Sequence, residues 1–187
     1  ASGDLARVTA LRAGAGKVTI ATIASAAMPM GIAFPACAVV ALPATDGGEI
    51  APESADLLIP EMALHDAVIF GPAMIDQDSV DALLAAILPA LPPEMFLILD
   101  AFALRSATDH VQAIADRAGH IVLTPHEGEL AAMLGIERDA VVRDPLAALE
   151  IAADRFGVAV MVKGATSHLM ANDVCLSYAG GGLGLAI

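Results

Sequence analysis

Basic side chains are scarce. The 187 residues carry nine Lys and Arg against 22 Asp and Glu, a formal net charge of −13. Nucleic acid and anionic membrane surfaces attract proteins through a basic field, so non-specific binding to either is excluded. Any phosphate the protein holds must be gripped by local devices. Long apolar runs are also missing, although 57% of the chain is hydrophobic and its mean hydropathy is +0.72. Asp, Glu, Lys, Arg, Pro or Gly breaks each run before it could span a bilayer, so no membrane partner is expected and the apolar residues must build a core. Cysteine is limited to Cys37 and Cys175, far apart inside apolar stretches and matching no zinc or redox spacing. Buried, unreactive thiols of a cytoplasmic protein are predicted. The opening "ASGDLARVTALRAGAG" puts Asp4 and Arg7 where a signal peptide needs an apolar segment, and export is not expected.

What is present is an alternation of periods. "VTIAT" (Val18 to Thr22), "AVIFG" (Ala67 to Gly71), "FLILD" (Phe96 to Asp100), "HIVLT" (His120 to Thr124) and "VAVMVK" (Val158 to Lys163) are short continuous apolar runs, the pattern of strands buried on both faces. Helix-like segments lie between them. "DSVDALLAAILPAL" begins with Asp78 or Ser79 as cap, "ATDHVQAIADRAG" ends in Gly119, and "DPLAALEIAADRFG" has Pro145 in its first turn and Gly157 at its end. Strand and helix alternating this way predict right-handed crossovers and one three-layer α/β/α domain over residues 1–187, with a mainly parallel sheet. "HLMANDVCLSYA" predicts a C-terminal β-hairpin turning at Ala171, Asn172 and Asp173.

Open parallel sheets bind ligands beyond the carboxyl ends of their strands. Four polar motifs fall there: "GPAMID" after "AVIF", "DAFAL" after "FLIL", "TPHEGE" after "HIVL" and "KGATS" after "VAVMV". Each has a plain structural reading beside the functional one. Gly71-Pro72 is a turn or a ligand contact, and Asp100 caps the next segment or takes part in chemistry. Lys163-Gly164 is a solvated strand end or a phosphate grip of one point charge and backbone amides. His126 and Glu129, three apart, share a face if Pro125 starts a helix; they read as a functional pair or as a loop histidine beside a first-turn glutamate favoured by the helix dipole. Their convergence on one sheet edge favours a site.

These residues resemble a known family, the ADP- or ATP-dependent NAD(P)H-hydrate dehydratases of the ribokinase-like superfamily. The resemblance rests on "ALRAGAGKVTIAT" (Ala10 to Thr22), "GPAMID", "LILDAFAL", "LTPHEGELAAMLG" and "VKGATSHLM", in the family's order and over nearly the whole chain. "TPHEGE" is the most specific signal, because the wider kinase superfamily typically has Asn where this chain has His126. The resemblance implies a ribokinase-like fold and a metabolite-repair lyase. Such an enzyme phosphorylates the hydroxyl of hydrated NADH or NADPH (NADHX, NADPHX), then eliminates phosphate. On that basis Gly71 and His126 contact the hydrate, and Lys163, Gly164, Ala165, Thr166 and Ser167 line the phosphates or adenylate of ADP or ATP. Asp100 and Glu129 support catalysis, with Glu129 holding Mg2+ through water. A cytoplasmic homo-oligomer is also implied.

Departures from the pattern are specific. Ala73 stands where the family usually has glycine after "GP". The Gly-Ala pair expected near the start falls on Ala1-Ser2, without the glycine-rich strand-turn that normally precedes it. "GGGLGLAI" (Gly180 to Ile187) resembles the approach to the family's "GGSGD", with Gly182 where asparagine is common, and the sequence given ends before that motif. The motif's aspartate is the base expected to take the hydroxyl proton. Two alternatives follow: a sugar or hydroxymethylpyrimidine-type kinase of the same superfamily, and a non-catalytic nucleotide-binding module.

Overall fold

The computed structural model describes residues 10–180. The expectations placed on Ala1-Ser2 and Gly182 lie outside that range. Two parallel strands open the fold: β1 (Thr19–Ile23) pairs with β2 (Ala38–Leu42), and helix α1 (Ala24–Ala33) connects them. The other strands are β3 (Ala67–Phe70), β4 (Phe96–Leu99), β5 (Ile121–Leu123), β6 (Ala159–Val162), β7 (Ser167–Ala171) and β8 (Val174–Tyr178). They form one six-stranded sheet in sequence order, parallel from β3 to β6 and antiparallel from β6 to β8. The predicted hairpin is β7–β8, with Asn172 at its turn in a left-handed conformation (φ 51°). Tight turns of this kind accept asparagine more readily than most residues.

Register explains where the core lies. Phe70, Leu99, Leu123 and Val160 stand in one row across the four parallel strands, and all four are buried. The row above it on the opposite face includes Ile69, Ile98 and Val122; Ile69 is exposed and the other two are half-buried. Parallel neighbours taken in sequence order, with crossovers of one hand, bring successive helices to the same side of a sheet. Those crossover helices are α3 (Gln77–Ile87), α4 (Phe102–Ala107), α5 (Val111–Ala115), α6 (Glu127–Leu134), α7 (Arg138–Arg143) and α8 (Pro145–Phe156), while α2 (Ala55–Met62) lies ahead of β3 between the two sheets in the sequence. Leu83, Leu84, Leu104, Leu130, Leu149 and Phe156 supply their buried side chains.

Helix boundaries corrected the sequence reading in three places. The cap of α3 is Asp76, not Asp78 or Ser79: its carboxylate accepts from Ser79 N at 2.9 Å. That bonding to Ser79 holds Asp76 below the usual carboxylate range. The single helix expected over residues 107–119 is instead the end of α4, a break at Thr108–His110, and the short α5. Helix α6 starts at Glu127, with His126 rather than Pro125 at its boundary. By contrast α8 is as expected, with Asp144 accepting from Ala147 N, Pro145 in the first turn and Gly157 left-handed at φ 65°. The cysteines differ as well. Cys37 is half-buried and Cys175 exposed, because β8 is an edge strand whose five residues all face solvent. Among the described residues no helix is long and apolar enough to cross a membrane.

Candidate active site

Strands β3 to β6 end together, and their ends bring the four motifs to one edge. Lys163 follows β6 and pairs with the residue after Pro125: its N–H donates to Pro125 O at 2.8 Å, and Lys163 and His126 form a parallel bridge. Across the sheet, Lys163 Nζ lies 2.5 Å from Asp100 Oδ1. Both side chains are about a third exposed, at 34% and 28%. The ammonium is thus fixed in place yet reachable. Gly164, Ala165 and Thr166 turn the chain into β7, where Ser167 is the first residue; Ala165 and Thr166 are exposed.

Gly71 closes the edge from the β3 side. It is buried at φ 113°, and a Cβ built there would overlap Asp100 O and come within 2.7 Å of Ala103 Cβ. Only glycine lets the end of β3 lie this close to the start of α4. Two alanines near that contact also take left-handed backbone, Ala73 at φ 65° and Ala101 at φ 50°, ψ −125°. A non-glycine residue held in a sparse region costs on the order of 1–3 kcal/mol, and such strain collects at functional sites. Ala101→Gly is expected to raise unfolding stability by about 1 kcal/mol, strain relief outweighing the extra freedom glycine gives the unfolded chain. Urea unfolding measures it, and a loss of similar size would mean the turn is relaxed with alanine.

His126 is the N-cap of α6. Its Nδ1 accepts from Gly128 N at 3.0 Å and Glu129 N at 3.2 Å, while Glu129 Oε2 accepts from His126 N at 2.8 Å. This is a reciprocal capping box with histidine in the place usually held by serine or threonine. An Nδ1 that accepts two N–H groups carries no proton, so the neutral ring has its hydrogen on Nε2. Nε2 sits 3.6 Å from Glu129 Oε1, too long for a hydrogen bond, on a side chain that is 60% exposed. One histidine therefore holds a helix end with one nitrogen and offers a donor with the other.

Magnesium has limited purchase here. Among the described residues no three His, Cys, Asp or Glu side chains gather as a metal group. Mg2+ fits such a donor set only as an ion that keeps most of its waters and binds phosphate oxygens. Glu129 Oε1 can accept from one of those waters while Oε2 stays on the backbone.

Next to His126 and Glu129 lies a cavity of about 570 Å3 between α4 and α6, walled by Phe102, Leu104, Ala132 and Met133 with Gln77 and Arg105. Neither Gln77 nor Arg105 was singled out from the sequence. Both belong to helices rather than strand ends.

The model of the NAD(P)H-hydrate dehydratase family matches residues 2–185. The chain belongs to this family. It is 36% identical over 179 residues to the ADP-dependent (S)-NAD(P)H-hydrate dehydratase of Xanthomonas campestris, covering 96% of this chain and 59% of that protein. It is 28% identical over 161 residues to the bifunctional NAD(P)H-hydrate repair enzyme Nnr of Moorella thermoacetica, covering 86% of this chain and 30% of the relative. The chain thus spans well under two thirds of the relatives it matches. Its fold is ribokinase-like. A ribokinase-like superfamily protein from Enterococcus faecalis superposes with TM-score 0.77 at 19% identity, over 95% of this chain and 57% of the other. The ADP/ATP-dependent NAD(P)H-hydrate dehydratase from Bacillus subtilis, co-crystallized with ATP/Mg2+, superposes with TM-score 0.67 at 20% identity, over 94% and 57%. In this member of the NAD(P)H-hydrate dehydratase family, "TPHEGE" at the end of β5 and "KGATS" at the end of β6 lie side by side.

Proposed function

We propose that the protein carries out ADP- or ATP-dependent repair of hydrated NADH and NADPH. The observation that carries this reading is the pairing of His126, with its free Nε2–H, and Lys163 on one sheet edge in a chain of this family. The name of the Xanthomonas relative supports ADP as donor, and that of the Bacillus protein supports either nucleotide.

Phosphoryl transfer through a loose transition state asks a protein mainly for positioning and charge. Lys163 supplies the positive charge, held by Asp100, and the turn from Gly164 to Ser167 supplies backbone amides along the nucleotide's phosphates. His126 Nε2–H donates to the hydrate's carboxamide or hydroxyl. Gly71 sets the close approach of β3 and α4 on which the hydrate's binding face depends. Magnesium bound with the nucleotide would spread the charge of the transferred group, with Glu129 fixing one of its waters. The hydrate's hydroxyl oxygen takes the phosphoryl group. Its C–O bond then breaks, phosphate leaves, and loss of the neighbouring ring proton restores the double bond. No described residue is assigned as the base for the hydroxyl proton. A cytoplasmic setting and a homo-oligomeric enzyme complete the reading, on family likeness.

The test is recovery of dihydronicotinamide absorbance when NADH hydrate is mixed with enzyme, ADP or ATP, and Mg2+. A stable phosphorylated product with no recovery would indicate a small-molecule kinase. Nucleotide binding with no chemistry would indicate a binding module.

A further inference from the structure

The cavity between α4 and α6 is separate from the nucleotide turn, since neither Lys163 nor Gly164 lines it. Its walls are mostly apolar, and its volume of about 570 Å3 lies within the range of small-molecule sites. Thr108, His126 and Glu129 also line it, and beyond them two polar features stand out. Arg105, on α4, is exposed and its guanidinium donates to no described residue, whereas Arg117, Arg138, Arg143 and Arg155 each donate to a protein acceptor. Gln77 gives its Nε2 hydrogens to Asp81 Oδ1 at 2.7 Å and Ser106 Oγ at 2.8 Å, and its Oε1 is buried with no donor. Turning the amide over would set Oε1 against the Asp81 carboxylate, so the network fixes this orientation. A buried acceptor without a partner beside a cavity calls for a donor from elsewhere.

We infer that this cavity holds the body of a dinucleotide substrate and that Arg105 grips its pyrophosphate. The inference rests on the hydrate-repair reading and names the part of the substrate that reading leaves unplaced. A chain with net charge −13 repels a dianionic ligand at long range, so the contact must be made by a local cation. An unpaired guanidinium presents a fork of N–H donors that matches phosphate oxygens. His126 lines the same cavity, so a ligand whose reduced ring meets Nε2 extends its phosphates along α4 toward Arg105. The donor nucleotide is a separate ligand on the proposed reading, because no residue of the turn from Lys163 to Ser167 lines this cavity.

The test uses the protein made from its complete gene, as wild type and Arg105→Gln, with two substrates: NADH hydrate, and the hydrate of reduced nicotinamide riboside, which has no phosphate. Arg105→Gln is expected to raise KM for NADH hydrate about tenfold or more, the scale of a lost charge-assisted contact. Turnover of the riboside hydrate and KM for ADP or ATP should stay within about twofold, the scatter expected for an exposed substitution that touches nothing. Arg105→Lys should recover part of the lost affinity. An unchanged KM for NADH hydrate overturns the inference, as does an equal loss with both hydrates. A raised KM for ADP or ATP assigns Arg105 to the donor and overturns it too. If folded wild-type protein repairs neither hydrate, the functional reading itself fails and takes this one with it, an outcome distinct from a working enzyme indifferent to Arg105.

Discussion

Lys163→Met should lower the affinity for ADP or ATP by about ten- to a hundredfold while leaving the fold intact. The reason is the position of the ammonium at the end of a buried strand, anchored 2.5 Å from Asp100 and still a third exposed. Hydrogen bonds to charged groups contribute about 1.5–3 kcal/mol, which sets that range. The fold should survive because the ion pair is partly solvated, and pairs of that kind add little to stability. Titration calorimetry of the two proteins with ADP gives the affinity, and a melting curve checks the fold.

Asp100 enters the same experiment as a positioning residue. The sequence left it open between a cap and a supporting catalytic group, and the structure commits its Oδ1 to Lys163. Asp100→Asn keeps the shape but weakens the hold on the ammonium, so nucleotide affinity should fall less than in Lys163→Met. Asp100→Asn/Lys163→Met should bind no worse than Lys163→Met alone, because side chains acting through one contact do not add. Full additivity would show that Asp100 meets the ligand or its metal directly. Unchanged affinity in Lys163→Met would remove both residues from the nucleotide site.

The legible part of this protein is the part that local pattern controls. Continuous apolar runs located β1 and β3 to β6, and a parallel sheet then dictated that Gly71, Asp100, His126 and Lys163 share an edge. Strand β2 was also readable in principle, as the run "AVVAL" between Pro35 and Pro43, but alanine is a weak strand former. Helices α1 and α2 were hidden by Pro29 and Pro60 in their interiors, where proline normally argues against a helix. The capping box was hidden differently. Histidine is not among the usual cap residues, so "HEGE" did not read as one. Arg105 and Gln77 had no signal at all. Their roles depend on how α4 packs beside α3 and α6, and no period within either segment encodes that meeting.

His126→Ala and His126→Asn should separate the two uses of this side chain. Alanine removes the acceptor that serves Gly128 N and Glu129 N, and losing an N-cap costs about 0.5–2 kcal/mol. Asparagine is itself a good cap, and its side-chain oxygen can take over from Nδ1, so His126→Asn should melt close to wild type. It cannot reproduce the imidazole's Nε2–H at the same reach. If that donor meets the hydrate, both variants should repair NADH hydrate with kcat/KM reduced about tenfold or more, near the upper end for one lost hydrogen bond. Affinity for ADP should hardly change in either, because Lys163 is bonded to Pro125 through the main chain and not through the imidazole. The measurements are absorbance recovery, calorimetry and a melting curve for each protein. A His126→Asn enzyme with wild-type kcat/KM would leave histidine here as a helix cap and nothing more. Lost repair together with wild-type stability and nucleotide affinity would place the ring against the substrate, since a residue that only holds the helix end cannot impair turnover once the cap has been restored.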